Sequence, residues 1–406
     1  MSIVEKKFRT PFILVTLLFL LWGLANNMTD TLLSAFKKIM SMSDTQTSLI
    51  QFAFYGAYFC VALPAALFIR KHNYKSGVIL GLTLYAAGAI LFMPAAKAAS
   101  YGFYLIAIYV MASGCSVLET TANPYILSMG SPETATRRLN IAQAFNPIGS
   151  ILGILMSKYF ILRDISLYSV SGTYMALGIV LVLILVLMVL AKMPSGQHLG
   201  EEESASLGAT FRRLFANKRY RFGVVAQFFY VGAQIGVWSF TIRIVMQELA
   251  VTEAEAANVY LAAIVGFCAS RFLYTWLMKF FKPYKLLVFG AVMSLTCTII
   301  VVFGAGTGWL LVTCLVLISF FMSLMFPTIY GLSLEGVEDP RLGGKEGDAK
   351  LGASGLIMAI LGGAILTPLQ GMVSDSSSIY LSFVVPAVCF VVVLAYALGI
   401  TSTKTK

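Results

Sequence analysis

Residues 101–130 read YGFYLIAIYVMASGCSVLETTANPYILSMG. No charged side chain occurs before Glu119, and Asn123 and Pro124 follow close behind it. About 20 apolar residues are enough for a helix to cross the hydrocarbon core of a bilayer. This stretch is long enough, and a carboxyl set well inside it costs roughly 3 kcal/mol on insertion scales, so it is rarely there without a task. The same reasoning applies to Asp30, which follows the apolar run that opens at Pro11.

Runs of this kind recur along the whole chain. We read twelve spans, at about 11–36, 48–70, 76–97, 101–129, 139–162, 171–193, 221–247, 255–280, 284–305, 308–334, 349–374 and 378–400. The 406 residues are 59% hydrophobic and 12% charged, against about 25% charged in soluble proteins. The mean hydropathy of +0.85 agrees. Continuous runs exclude barrel strands, which are about 10 residues of alternating pattern. The fold class is an all-α membrane protein with twelve transmembrane helices. The first run follows Lys6, Lys7 and Arg9 as a signal peptide would, yet it continues into Asn26, Asn27 and Asp30 without a small-residue cleavage site. It reads as an uncleaved first helix.

The net charge of +11 does not point to nucleic acid, because the charges are sorted. With the N-terminus inside, Lys37, Lys38, Lys97, Lys158 and Arg163 are the basic residues of the outer loops, Arg243 and Arg271 fall in or at the ends of spans, and the rest lie inside. That asymmetry is the positive-inside pattern, so both termini are expected in the cytoplasm of a multi-pass protein of the bacterial inner (plasma) membrane. All six cysteines lie in spans without metal-ligand spacing and read as small core residues. Both histidines, His72 and His198, lie in cytoplasmic loops, so any titrating group within the spans must be a carboxyl.

The longest polar stretch, 194–221, divides six spans from six. We expect a first bundle at 1–193, a cytoplasmic linker at 194–220 lying on anionic lipid, and a second bundle at 221–406. A Tyr-Lys pair, Tyr74-Lys75 and Tyr284-Lys285, precedes a helix in each half, and Pro124 and Pro327 sit late in spans four and ten. This faint repeat fits two pseudo-symmetric six-helix bundles related by an axis along the membrane normal, with substrate held between them. The charges of 335–348 read as a solvated loop.

Polar residues inside the spans cluster by face. Asn26 and Asn27 precede Asp30 by four and three positions, and Asn123 follows Glu119 by four. In span five Asn140, Gln143 and Asn146 are spaced by three, and Pro147 frees a backbone carbonyl nearby. In span seven Gln227 and Gln234 are two turns apart, with Tyr230 and Trp238 near their face. For each amide, glue between helices is as good a reading as ligand contact; for Asp30 and Glu119 the insertion cost favours function. Phe52, Tyr55 and Phe59 read as packing, and Gly362-Gly363 as a point of close helix approach.

Amides bond sugar hydroxyls by both donating and accepting, and aromatic rings stack on the apolar faces of a sugar. Without a dense basic cluster in the spans an anionic substrate is disfavoured, Arg243 alone leaving it open. The candidate substrate-binding residues for a neutral monosaccharide are Asn123, Gln143, Asn146, Gln227, Tyr230, Gln234 and Trp238. A carboxyl shut away from water favours its neutral form, so Asp30 and Glu119 are the candidate proton-coupling pair. No cofactor beyond the coupling proton and no metal is expected; the partners expected are the sugar and the lipid bilayer, no nucleic acid, with the chain a monomer.

LANNMTD (24–30), LETTANPYIL (118–127), LNIAQAFNPIG (139–149), YVGAQIGVWSF (230–240), MFPTIYGL (325–332) and ILGGAILTPLQGMVSD (360–375) together resemble the fucose:proton symporter family of the major facilitator superfamily. The resemblance covers nearly the full chain. It implies two six-helix bundles, alternating access, and proton-coupled uptake of L-fucose first, glucose or galactose second. It also implies proton coupling through Asp30 and Glu119, sugar contact by Glu119, sugar binding by Gln143 and Asn146, and a cavity position for Asn27. Two features depart from the pattern. The loop RKHNYKSG (70–77) has the basic residues of the superfamily signature but no acid. Asn146-Pro147 takes the form seen in the glucose and galactose relatives. The competing readings are a drug or metabolite exporter on the same fold and a membrane sugar sensor; no His, Cys or Ser constellation in a span suggests an enzyme.

Overall fold

The computed structural model describes residues 3–41, 44–161, 166–193, 207–340, 343–345 and 347–404. Among them every regular element is helical. The α-helices are α1 (Arg9–Ile39), α2 (Asp44–Lys71), α3 (Tyr74–Lys97), α4 (Tyr101–Ser128), α5 (Ala135–Gln143), α6 (Asn146–Met156), α7 (Leu167–Leu190) and α8 (Leu207–Ala216). They continue as α9 (Lys218–Leu249), α10 (Glu253–Leu277), α11 (Pro283–Phe303), α12 (Trp309–Met322), α13 (Met325–Leu334), α14 (Asp348–Met358), α15 (Leu361–Ser376) and α16 (Val384–Lys404). Among the described residues twelve segments are long and apolar enough to cross a membrane. Phe303 is 82% exposed, Phe52 76% and Leu190 75%, which suits lipid rather than water.

Helix starts follow local chemistry. Asn73, Ser100 and Asn217 each accept a backbone N–H at the head of α3, α4 and α9, and Thr252 with Glu255 forms a capping box at α10. Span five begins at Pro132 rather than the expected 139. Its first part, ATRRLNIAQ, is too polar to look membranous, yet Thr136, Arg138, Asn140 and Gln143 are buried. Protein rather than lipid covers them. Three spans are broken: α5 from α6 at 144–145, α12 from α13 at 323–324, and α14 from α15 at 359–360. Pro124 lies inside α4 and leaves it continuous, although a proline within a helix removes one backbone donor.

The chain forms two compact units: residues 1–135, 148–213 and 336–358, and residues 136–147, 214–335 and 359–406. In the first unit α3 packs on α4 and α7, and α14 packs on α2 and α4. Helix α6 meets α1 through Gly149 and Gly153, where a Cβ would overlap the Leu20 carbonyl and press on that of Leu24. Lys75, at the head of α3, donates to the carbonyls of Val189 and Ala191, both at 2.8 Å, closing the end of α7. Asp348 is 2% exposed and takes Arg213 of α8 bidentately, at 2.8 and 2.6 Å. The Gly347 and Ala349 amides donate to Glu338. Lys350 lies over the Tyr74 ring, which stacks on Tyr125. The expectation of a solvated loop at 335–348 is thus corrected: its end is buried and ion-paired.

In the second unit α9 packs on α10, α13, α15 and α16. A Cβ on Gly362 would overlap the Phe228 carbonyl, so the expected close approach at this glycine pair is present. At the far end of α9, Glu248 accepts from the Gly306 and Gly308 amides and from the Tyr380 hydroxyl. Burial, with that carboxylate beside it, pushes the Tyr380 phenol up to about 12, so it stays a donor. The described cysteines are unpaired; four are buried, Cys268 is half-buried and Cys60 is exposed rather than in the core.

Candidate functional site

Asp30 lies in α1, but its side chain, like that of Asn26, is outside the described residues. Asn27 is half-buried and donates to the Gly23 carbonyl at 3.2 Å, with Gly153 of α6 against its Cβ. On α4, the Asn123 side chain donates one turn back to the Glu119 backbone carbonyl at 3.1 Å, a consequence of the four-residue spacing. Asn123 is fully buried. The Glu119 side chain is different. Its Oε2 is buried and has no hydrogen-bond partner among the described residues. Cys115, one turn earlier on α4, and Tyr58 of α2 lie within its electrostatic reach. The Tyr58 hydroxyl is held by the Trp22 indole at 2.9 Å and its carbonyl by Ser116. Three helices therefore fix the wall around one carboxyl whose own oxygen they leave unoccupied.

The remaining candidates belong to the second unit. Helix α5 docks on α13 along one face. A Cβ on Gly331 would press on Thr136, and Asn140 donates to Thr328 at 3.2 Å. Gln143 ends α5 and Asn146 begins α6, so the break separates the two amides. Gln143 is 4% exposed, and its backbone carbonyl accepts from Arg271 of α10 at 3.1 Å. Along α9, the Tyr230 ring meets Phe326 edge-on. Trp238 donates to Ser319 at 3.2 Å and meets Phe267 edge-on, while Gln234 is half-buried. Gln227 is 0% exposed, and neither of its amide atoms has a partner among the described residues. Arg271 stands within electrostatic reach of Tyr230 and over the Phe267 ring. It thereby draws Gln143, Tyr230 and Trp238 into one neighbourhood.

Two residues of chemical interest were missed from sequence. Arg271 carried the same signal as Glu119, a charge inside an apolar run, but passed as a leftover of the charge count. Gln370 of α15 is fully buried, against Gly236, and neither of its amide atoms has a partner among the described residues. Nothing in its spacing set it apart within ILTPLQGMVSD. Among the described residues no group of His, Cys, Asp and Glu could hold a metal ion.

The sequence profile described as Major Facilitator Superfamily matches residues 12–344. An L-fucose-proton symporter of Haemophilus influenzae is 40% identical over 97% of this chain and 97% of its own length. A glucose/galactose transporter of Brucella abortus is 32% identical over 97% of this chain and 95% of its own. Among solved structures, the Major Facilitator Superfamily transporter FucP in the outward conformation superposes with a TM-score of 0.86 at 35% identity, covering 97% of this chain and 99% of that one.

Proposed function

The chain belongs to the major facilitator superfamily, in the branch that holds the L-fucose-proton symporters, and from that premise we propose that it takes up L-fucose together with protons. The observation that carries the coupling is the buried Glu119 oxygen without a partner among the described residues. A buried acceptor left unpaired is costly, and far more so when charged. A proton on Glu119 removes the charge and supplies a donor that a sugar hydroxyl can accept. Sugar and proton then favour each other's binding, which is the linkage a symporter needs. Asp30 of α1 is the proposed second member of the coupling pair. Asn27, Asn123, Gln143, Asn146, Gln227, Tyr230, Gln234 and Trp238 are the proposed sugar contacts.

Alternating access then delivers both to the cytoplasm. The proposed arrangement is two six-helix bundles joined by the linker at 194–220, both termini in the cytoplasm, in the bacterial inner membrane, working as a monomer without catalysis. Asn146-Pro147 favours glucose or galactose as the second reading.

The test is uptake into proteoliposomes of radiolabelled L-fucose, D-glucose and D-galactose, with and without an inward proton gradient. L-fucose should accumulate above equilibrium only with the gradient. Accumulation of glucose or galactose but not fucose would replace the substrate, and uptake indifferent to pH would sink the coupling.

A further inference from the structure

Arg271 is 3% exposed inside an apolar helix, and among the described residues it makes no ion pair. Isolated charge at that depth is expensive. What compensates it is specific. Its Nε donates to the Ser323 carbonyl at 2.8 Å and its Nη1 to the Gln143 carbonyl at 3.1 Å. In an uninterrupted helix the carbonyl of residue i accepts from the N–H of residue i+4. For Gln143 that residue is Pro147, and for Ser323 it is Pro327. Proline has no N–H. The two oxygens that Arg271 takes are therefore the two to which these prolines can give no i+4 N–H bond. They stand at the C-terminal ends of α5 and α12, the negative ends of both helix dipoles, where a cation is favoured. A guanidinium suits the task because its donors lie in a rigid fork that can serve two acceptors at once.

We propose that Arg271 is a positioning residue of the sugar site, binding the carbonyls freed by Pro147 and Pro327 and so fixing the bend at which Gln143 and Asn146 are presented. This rests on the sugar-symport reading above. The break falls between those two amides, and its geometry decides whether both can face one ligand. The same guanidinium stands by Tyr230 and over Phe267, which in turn orients Trp238. One side chain thus ties span five to the aromatic residues of α9.

The test is a double-mutant cycle on the full-length protein: wild type, R271M, P147A and R271M/P147A, with R271K as the conservative variant. L-fucose affinity is read by calorimetry in detergent at one pH, and thermal unfolding is read alongside. R271M should weaken binding about tenfold. R271K should recover part of this, because one ammonium can reach one carbonyl. P147A returns an N–H to the Gln143 carbonyl, so the loss caused by R271M should shrink to about threefold or less in that background. If R271M does not fold, the same comparison is made with R271K and R271K/P147A. Equal losses in both backgrounds, or full affinity in R271M, would overturn the proposal while leaving symport intact. A wild-type protein that binds none of L-fucose, D-glucose and D-galactose would instead remove the symport reading and this proposal with it.

Discussion

Glu119 illustrates how much one side chain can carry. Its position was legible because the residue type is improbable in an apolar run; its surroundings were not, since Trp22 and Tyr58 come from helices far away in sequence. A one-unit pH gradient is worth about 1.4 kcal/mol, roughly a tenfold accumulation for one proton per sugar. E119Q keeps a neutral amide of the same shape but cannot exchange a proton. It should retain sugar exchange between equal concentrations and lose that accumulation entirely, as measured by counterflow and gradient-driven uptake in the same vesicles. Undiminished uphill transport by E119Q would remove Glu119 from the coupling. The amides were legible only as a set: spacing placed Gln227 and Gln234 on one face, but it could not say that Gln227 is buried with no partner among the described residues. Arg271 was overlooked because its role depends on two prolines in other spans.

Among the elements, α6 and α1 are held together by the absence of side chains at Gly149 and Gly153. G149A would drive a methyl into the Leu20 carbonyl and should lower stability by about 2 kcal/mol. The matching control is G172A, inside α7, whose Cβ would meet nothing within 4 Å and should not lower the melting temperature in the same detergent. Helix α8 is a second case. Its Arg213 side chain is 21% exposed while its partner Asp348 is 2% exposed, so removing the carboxylate leaves a partly hydrated cation rather than a fully buried one. D348N should therefore cost about 2 kcal/mol in thermal unfolding, less than for a sealed pair. An unchanged melting temperature would show that the pair adds nothing. Hydropathy revealed the long helices well, because lipid-facing surface demands apolar residues. It concealed the start of span five and the burial of Asp348, because protein-covered polar residues look like loop in sequence.

For the molecule as a whole, composition and the sorting of charge gave the class, and the match to FucP agrees with the twelve spans. The proposed orientation predicts that alkaline phosphatase fused to the C-terminus stays inactive while a fluorescent protein fused there lights up; the reverse result would invert the topology. The assignment of residues 136–147 and 336–358 to the compact units was beyond sequence reading, since it turns on breaks in two spans, at 144–145 and 359–360. At the far end of α9, the Glu248 carboxylate serves Gly306, Gly308 and Tyr380 together. Two connections that could each have wandered separately, α11 to α12 and α15 to α16, are pegged to a single post. That rim of the second unit can therefore travel only in concert, and a ligand arriving there would encounter a rigid lip instead of independent flaps.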